Sequence, residues 1–267
     1  MAKKSYKNSL LYKVSGNGLK KPSYLFGTMH MICARDFYIP VKVISALSKC
    51  STFYMEVDLG SEDETQTMEM ASSENNDWTC DLTEKEKESL REIVVQRLGI
   101  PGDRIDEIPP MALINQMTLE AMDCEEIKVA EIELLKVARG KGLKSAGIET
   151  AMQQMKIARK VFNGKELLAQ LKNDGVNYKD LFKKIILAYR HEKLEELAAL
   201  VTDKRFMSRR AFNILVTNRN KRWAKEIPSL ISSQSCFIAV GAGHLPGETG
   251  IIKALSDQGF KVNPVYR

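Results

Sequence analysis

The sequence has few histidines, no clustered cysteines and no long apolar run. None of the five cysteines belongs to a CxxC pair, which argues against a cysteine-bound zinc site. No segment approaches the roughly 20 consecutive apolar residues that a membrane-spanning helix needs. The first eight residues also lack the apolar core of a signal peptide. These absences argue against membrane-spanning and zinc-finger proteins.

Neither the net charge nor the cysteine content of the sequence indicates a specialised class of protein. Forty basic against 34 acidic residues leave a formal charge of +6, and the lysines are scattered, which argues against a nucleic-acid partner. The composition, 44% hydrophobic and 28% charged, is typical of a globular protein with a sizeable core. An odd number of cysteines leaves at least one thiol free. A bridge between Cys80 and Cys124 and a set of buried free cysteines remain the alternatives.

Two of the three histidines share one sequence context. Gly27-Thr-Met-His30 follows an apolar run, and so does Gly241-Ala-Gly-His244. A short apolar run that ends in glycine is typical of a strand buried on both faces of an α/β sheet. The glycine permits a sharp turn, so each histidine is expected just beyond the carboxyl end of its strand, where open α/β sheets bind their ligands. The pair predicts a site at one sheet edge, provided that the two strands lie close together.

The order of the predicted elements indicates an α/β fold with a mixed, largely parallel central sheet. Strand, helix and strand follow one another between residues 23 and 58, as in a βαβ unit, and a similar alternation returns between 236 and 266. The clearest helix signal lies between these segments. Thr83, with Glu86 three residues later, forms a capping-box pattern, and Gly99 is expected to end that helix.

We interpret residues 1–267 as a single domain in three parts. Residues 9–60 and 235–267 are predicted to form the sheet core that carries the two G-x-x-H motifs. Residues 61–234 are predicted to be a mainly helical insert or cap, because their apolar positions recur every three to four residues. One further strand is expected near 144–149.

Carboxylates at predicted strand ends complete a candidate metal site. Glu56 lies near the end of one strand and Glu149 at the end of another. Imidazole nitrogen and carboxylate oxygen are suitable ligands for a divalent ion such as zinc, manganese or cobalt. We predict His30, His244 and Glu56 as metal ligands, with Glu149 as a further ligand or general base. Such an ion generates a nucleophilic water at neutral pH.

The same residues also have purely structural interpretations. A single histidine at a strand end is more often hydrogen-bonded within the fold than bound to metal; two in matched contexts favour ligation. Glu56 and Asp58 alternate along a strand, so at most one of them faces the site. Glu149 is alternatively the cap of the following helix, and His191 is expected to be solvated. The G-x-S-x-G pattern of a serine nucleophile is absent, whereas Cys33 leaves a cysteine nucleophile open.

Five blocks of the sequence resemble the TraB/GumN/PrgY family, to which the Tiki metalloproteases are related. The blocks occur in the family's order and cover nearly the whole chain. They begin at Leu25 (LFGTMH), Phe53 (FYMEVD), Gly147 (GIETAMQQ), Thr217 (TNRNKRWA) and Val240 (VGAGHLPG).

The resemblance implies a fold like that of the erythromycin esterase and ChaN group, and a divalent-metal-dependent hydrolase built on the two G-x-x-H motifs. By position its ligands fall on His30, His244 and Glu56. Arg219 and Asn220 match the family's R-N pair and are expected to bind a substrate carboxylate or stabilise an oxyanion. Members of known activity act on peptides or proteins, so the expected partner is a peptide or protein substrate. Many bacterial members are exported, which implies export here if a leader was trimmed and a cytoplasmic location otherwise.

Three functions follow from these patterns. The first is a metal-dependent peptidase. The second is a binding protein that uses the same histidine-lined cleft to hold a peptide or a haem-like cofactor without catalysis. The third is an esterase that works through histidine without metal.

Overall fold

A computed structural model describes residues 8–73, 78–172, 178–204 and 207–266. It confirms the predicted fold class, because a largely parallel six-stranded sheet lies at the centre of a chain that is otherwise mostly helical. Among these residues no helix combines the length and the apolar character required to cross a bilayer.

The described residues form eight strands. They are β1 Leu11–Ser15, β2 Ser23–Thr28, β3 Met31–Cys33, β4 Thr52–Met55, β5 Ile127–Val129, β6 Lys144–Gly147, β7 Cys236–Gly241 and β8 Lys261–Pro264. Six of them form the central sheet in the order β6-β4-β7-β2-β1-β8. The other two, β3 and β5, form an antiparallel pair that we call the ribbon.

Strand order brings the two G-x-x-H motifs together. Strands β6, β4, β7 and β2 are parallel neighbours, and β1 is antiparallel to both β2 and β8. The strands that precede the two motifs, β2 and β7, are directly paired, with Thr28 opposite Gly241. Every residue of both strands is buried, as their apolar sequences predict. The carboxyl ends of four parallel strands therefore meet at one edge of the sheet.

Twelve α-helices lie within the described residues. They are α1 Val41–Leu47, α2 Glu62–Ser73, α3 Glu84–Leu98, α4 Pro110–Met122, α5 Ala130–Gly140, α6 Ala151–Val161, α7 Gly164–Leu171, α8 Tyr178–Arg190, α9 Leu194–Val201, α10 Arg209–Phe212, α11 Asn218–Ser232 and α12 Ile251–Asp257. A π-helical segment, Asn213–Thr217, joins α10 to α11. Short 3-10 turns cover Ala34–Asp36, Gly102–Glu107 and Ala242–His244.

Two helix starts show how local sequence sets the boundaries. The predicted capping box of α3 is confirmed, because Thr83 Oγ1 accepts from the Glu86 amide at 3.3 Å while Glu86 accepts from the Thr83 amide at 2.8 Å. Gly99 ends α3 in the left-handed conformation, with φ of 63°. The suggestion that Glu149 caps α6 is wrong, because Thr150 is the N-cap. Glu149 is thereby free for the site.

The buried residues form one large core, a separate core within the helical region and a small cluster of Cys33, Met122 and Phe182. The large core surrounds the central sheet and includes Phe53, Trp223 and Phe237. The separate core lies between α3, α4 and α7, and contains Trp78 and Leu90. The predicted strand near 144–149 is β6, which pairs with β4, so the helical region also contributes to the sheet.

The cysteine pairing differs from the one considered above. Cys33 and Cys124 form a disulfide with their Cα atoms 5.5 Å apart, and Cys80 is an exposed free thiol. The bridge between Cys80 and Cys124 is therefore wrong. The reason is the ribbon, which places Cys33 opposite Ile127, three residues after Cys124. Because Cys33 is bonded and buried, it is not available as a nucleophile.

Candidate functional site

Each of the four parallel strands is followed by one candidate residue at the same edge of the sheet. In sheet order these residues are Glu149 after β6, Glu56 after β4, His244 after β7 and His30 after β2. Helix α11 contributes the predicted Arg-Asn pair to the same place. The structure thus brings all six predicted site residues together.

Glu56 lies at the centre of this group. Its Oε1 atom is 3.7 Å from Nε2 of His30 and 3.7 Å from Nε2 of His244, and it accepts a 2.9 Å hydrogen bond from the Gly241 amide. Burial alone would raise the pKa of Glu56, but the opposite charges of Arg219 and His30 outweigh it and hold that pKa well below its usual range. Glu56 is therefore an ionised carboxylate that faces both imidazole rings.

Arg219 is the buried cation of the site. Its Nη2 atom binds Oε2 of Glu56 and, at 2.5 Å, Oε1 of Glu149. Its Nη1 atom donates to the carbonyl of Leu215 at 3.1 Å and to Nε2 of His244 at 3.3 Å. Leu215 belongs to the π-helical segment, a kind of irregularity that often occurs at functional sites. Burial would lower the pKa of Arg219, but the two carboxylates raise it, so the guanidinium stays charged.

Two further polar residues surround Glu149, and the sequence analysis did not assign either to the site. Arg222 binds Oε2 of Glu149, while Gln154 donates to Oε1 of Glu149 at 3.3 Å and to Oε2 of Glu56 at 3.4 Å. Arg222 lies three residues after Arg219 on α11, and that spacing places both on one helix face. The periodicity of α11 could therefore have identified Arg222.

His244 is buried and held as a neutral ring. Its Nδ1 atom lies 2.6 Å from Oδ1 of Asn220, whose Nδ2 atom donates to the carbonyls of His244 and Thr249 at 3.0 and 2.8 Å. This use of the amide nitrogen makes Oδ1 the acceptor, so Nδ1 of His244 carries a proton and Nε2 offers its lone pair. The Trp223 ring lies against the imidazole, with centroids 4.6 Å apart. Burial, with Arg219, lowers the pKa of His244 to about 3.

His30 has a different environment. Its side chain is 56% exposed, and its Nδ1 atom is 2.8 Å from Oε1 of Glu131. Glu131 is the second residue of α5, is buried, and also accepts from Thr28 Oγ1 at 2.5 Å. The nearby Glu131 carboxylate raises the pKa of His30 to about 9. No sequence motif marks Glu131, which reaches the site only because the ribbon pairs two distant segments.

The imidazole nitrogens and carboxylate oxygens are suitable ligand atoms for a divalent ion. The distances between them in this structure, however, are not those of a formed metal site. The Nε2 atoms of His30 and His244 face the same carboxylate oxygen, while each Nδ1 faces an oxygen acceptor, the usual arrangement of metal-binding histidines. Within the described ranges, no three or more histidine, cysteine or acidic side chains are spaced as a ready metal site. The lone pair of His244 Nε2 accepts from Arg219. An ion could bind through His244 only after that hydrogen bond is released.

Two other residues considered in the sequence lie outside this group. Asp58 accepts from the Gly60 amide at 2.9 Å in the turn after β4, so only Glu56 of that pair enters the site. His191 is exposed at the end of α8, where it lines a separate surface cavity of about 660 Å³.

Comparison of the sequence with known proteins identifies a family and no individual relative. No curated protein and no solved structure matches it significantly. A profile of the TraB/PrgY/gumN family, by contrast, matches residues 10–264. This range includes every site residue described above and nearly the entire sequence. The chain therefore belongs to the TraB/PrgY/gumN family.

Proposed function

We propose that this protein is a divalent-metal-dependent hydrolase that acts on a peptide or protein substrate. The observation that carries the proposal is the convergence of His30 Nε2 and His244 Nε2 on one oxygen of Glu56, each at 3.7 Å. Both rings use Nδ1 for a hydrogen bond within the protein, which leaves Nε2 as the atom available to an ion. His30, His244 and Glu56 would hold that ion.

The charge balance supports a cation at this place. Three buried carboxylates lie in this group. Glu56 and Glu149 pair with arginine, whereas Glu131 pairs with His30. Because the pKa of His30 is raised to about 9, its positive charge balances the third carboxylate in the metal-free protein. Metal ligation through Nε2 requires a neutral ring, so a bound ion would supply the positive charge that the proton on His30 otherwise provides.

The chemistry of the proposed reaction is hydrolysis. A zinc, manganese or cobalt ion bound there supplies Lewis acidity and lowers the pKa of a bound water from about 15.7 to about 7. The protein's own contribution is electrostatic. Arg219, released from His244, is a cation placed beside both carboxylates, and its Nε atom has no hydrogen-bond partner among the described residues. It is our candidate to stabilise a developing oxyanion.

The contacts refine the roles of the other two candidates. Both oxygens of Glu149 accept from arginine, and this arrangement favours a role in anchoring Arg219 over one as general base. Asn220 uses Oδ1 on His244 and Nδ2 on two backbone carbonyls. Its hydrogen-bonding groups are thus occupied within the protein, which favours positioning of His244 over direct substrate contact.

One observation favours a second candidate function. Arg219 donates to the lone pair of His244 that a metal would need, as expected if the cleft holds a peptide or a haem-like ligand without metal and without catalysis.

The test is metal content, measured by mass spectrometry on protein purified without a histidine tag. The chain offers a matched control because it has only three histidines, and His191 lies outside the site. We expect a near-stoichiometric divalent ion in wild type and His191→Ala, its loss from His30→Ala and His244→Ala, and peptide hydrolysis that a chelator abolishes.

Other results would point elsewhere. Absence of bound ion, even after incubation with zinc, manganese and cobalt, would favour the binding protein; purification with a tightly bound, unprocessed ligand would strengthen that conclusion. Hydrolysis that survives chelation would instead indicate an esterase that uses histidine alone.

A further inference from the structure

We propose that Glu131 is the positioning residue of His30, whose ring it holds with Nε2 directed at Glu56. The contact is the 2.8 Å hydrogen bond between Nδ1 of His30 and Oε1 of Glu131. This inference deepens the proposed function and rests on it only where metal binding is measured.

The hydrogen bond matters because few other contacts among the described residues hold the ring of His30. The side chain is 56% exposed, whereas His244 is buried and its ring lies against that of Trp223. An exposed side chain keeps its rotational freedom unless a specific bond removes it. Glu131 can provide such a bond because it is itself fixed, being buried and hydrogen-bonded to Thr28 Oγ1 at 2.5 Å.

The ribbon brings Glu131 to His30 across 101 residues of sequence. The amide of Ala130 donates to the carbonyl of His30 at 3.3 Å, so the residue just before Glu131 is tied to the backbone of His30. Farther along the ribbon, the disulfide between Cys33 and Cys124 fixes the same two segments. Backbone pairing and a covalent bond therefore both fix where Glu131 lies relative to His30.

The other half of the site contains the same device made from a different group. Asn220 places its Oδ1 atom 2.6 Å from Nδ1 of His244. Two unrelated segments therefore supply an acceptor to the Nδ1 atom of a histidine. The start of α5 supplies one to His30, and the start of α11 supplies one to His244. A buried carboxylate is costly unless its partners compensate, and the partners of Glu131 are His30 and Thr28. The hydrogen bond to His30 therefore accounts for a carboxylate at this buried position.

The experiment compares variants that separate charge from hydrogen bonding. Glu131→Gln keeps an acceptor oxygen but loses the charge, and Glu131→Ala loses both. Glu133→Gln is the control, because Glu133 lies on the same helix and pairs with Lys136. By zinc titration calorimetry we expect Glu131→Ala to bind roughly 10- to 100-fold more weakly, Glu131→Gln to lose less, and the control to match wild type.

A second readout needs no metal. Long-range proton–nitrogen spectra at pH 10, where the neutral ring is populated, report which nitrogen of His30 carries the proton. We expect the Nδ1-protonated form in wild type and Glu131→Gln, and a mixture of both forms in Glu131→Ala, because a free neutral ring populates both. His191, which is exposed and lies outside the site, supplies a reference in the same spectrum.

The outcomes distinguish this inference from the proposed function. Zinc affinity and proton position both unchanged in Glu131→Ala would overturn the inference. If wild type binds no metal but Glu131→Ala redistributes the proton, the proposed function fails and the positioning role stands. If Glu131→Ala does not fold, Glu131→Met replaces it, since methionine fills similar volume and its sulfur is only a weak acceptor. The same two results then decide.

Discussion

The two histidines of the site share one motif and have opposite surroundings. His30 is 56% exposed, faces the carboxylate of Glu131, and has its pKa raised to about 9. His244 is 6% exposed, faces the amide of Asn220, and has its pKa lowered to about 3 by burial. The motif places each ring at a strand end, but residues from elsewhere in the chain set its protonation.

The difference follows from what covers each strand end. Helix α11 lies over His244. Its Trp223 ring contacts the imidazole at a tilt of 40°, and the Arg219 guanidinium lies 4.5 Å from the centroid of the Trp223 ring. The ribbon and the start of α5 support His30 from one side and leave its other side in solvent. One candidate ligand is therefore fixed by packing, and the other depends on a hydrogen bond.

The largest expected effect on stability concerns the disulfide that joins the two segments supporting His30. Replacing Cys33 and Cys124 by serine removes a bridge between residues 91 apart, which the chain-entropy account values at about 4 to 5 kcal/mol at 25 °C. Urea unfolding of the oxidised protein should show this loss. Cys80→Ser, which removes an exposed free thiol, is the control and should leave the midpoint unchanged. Equal midpoints for the serine pair and wild type would mean that the bridge does not stabilise the fold.

The next largest effect on stability concerns Arg219, which lies beside His244. Arg219→Met leaves Glu56 and Glu149 buried without their shared cation, and breaking a buried ion pair from one side costs about 3 to 5 kcal/mol. Arg222→Met is the matched control, because its side chain is 34% exposed and water can replace it. Thermal unfolding should therefore show the larger decrease for Arg219→Met. Similar decreases in both variants would contradict the central role of Arg219.

Asn220→Asp makes the two halves more alike, because it gives His244 a carboxylate partner. The variant loses the donor to the carbonyls of His244 and Thr249. The carbonyl of His244 is buried, and leaving a buried acceptor unpaired costs roughly 1 to 3 kcal/mol. In metal-free protein, the pKa of His244 should rise above its value of about 3. Chemical denaturation and a proton NMR titration measure the two effects. Unchanged stability would show that the amide donor is dispensable.

Sequence alone predicted the features that depend on local pattern. Buried strands, glycine turns and the cap at Thr83 follow from the types of residue within a few positions. Glu131 and the partner of Cys124 could not be found in this way, because both depend on a ribbon of three residues per strand that carries no periodic signal. The role of Asn220 is also a tertiary feature, since its acceptors lie 24 and 29 residues away.

The first glycines of the two motifs extend the comparison to the backbone. A Cβ atom on Gly27 would lie 2.8 Å from Leu245 Cδ1 and 3.0 Å from the Cα of Ala242. A Cβ atom on Gly241 would instead lie 3.1 Å from Nε2 of His30. Gly27 therefore allows the loop of the second motif to pack closely against β2, and Gly241 leaves room for the ring of His30.

The smallest expected effect on stability therefore comes from Gly241→Ala. A small shift of the His30 ring is enough to admit the new methyl group, whereas on Gly27 the methyl group would meet the backbone of Ala242. We therefore expect a cost below the roughly 1 to 3 kcal/mol that overpacking typically causes and that Gly27→Ala should show. Metal affinity should show the opposite order, because the displaced Nε2 atom is a candidate ligand. Thermal unfolding and zinc calorimetry on both variants measure the two orders. If Gly241→Ala bound zinc as tightly as wild type, the room beside His30 would have no part in metal binding.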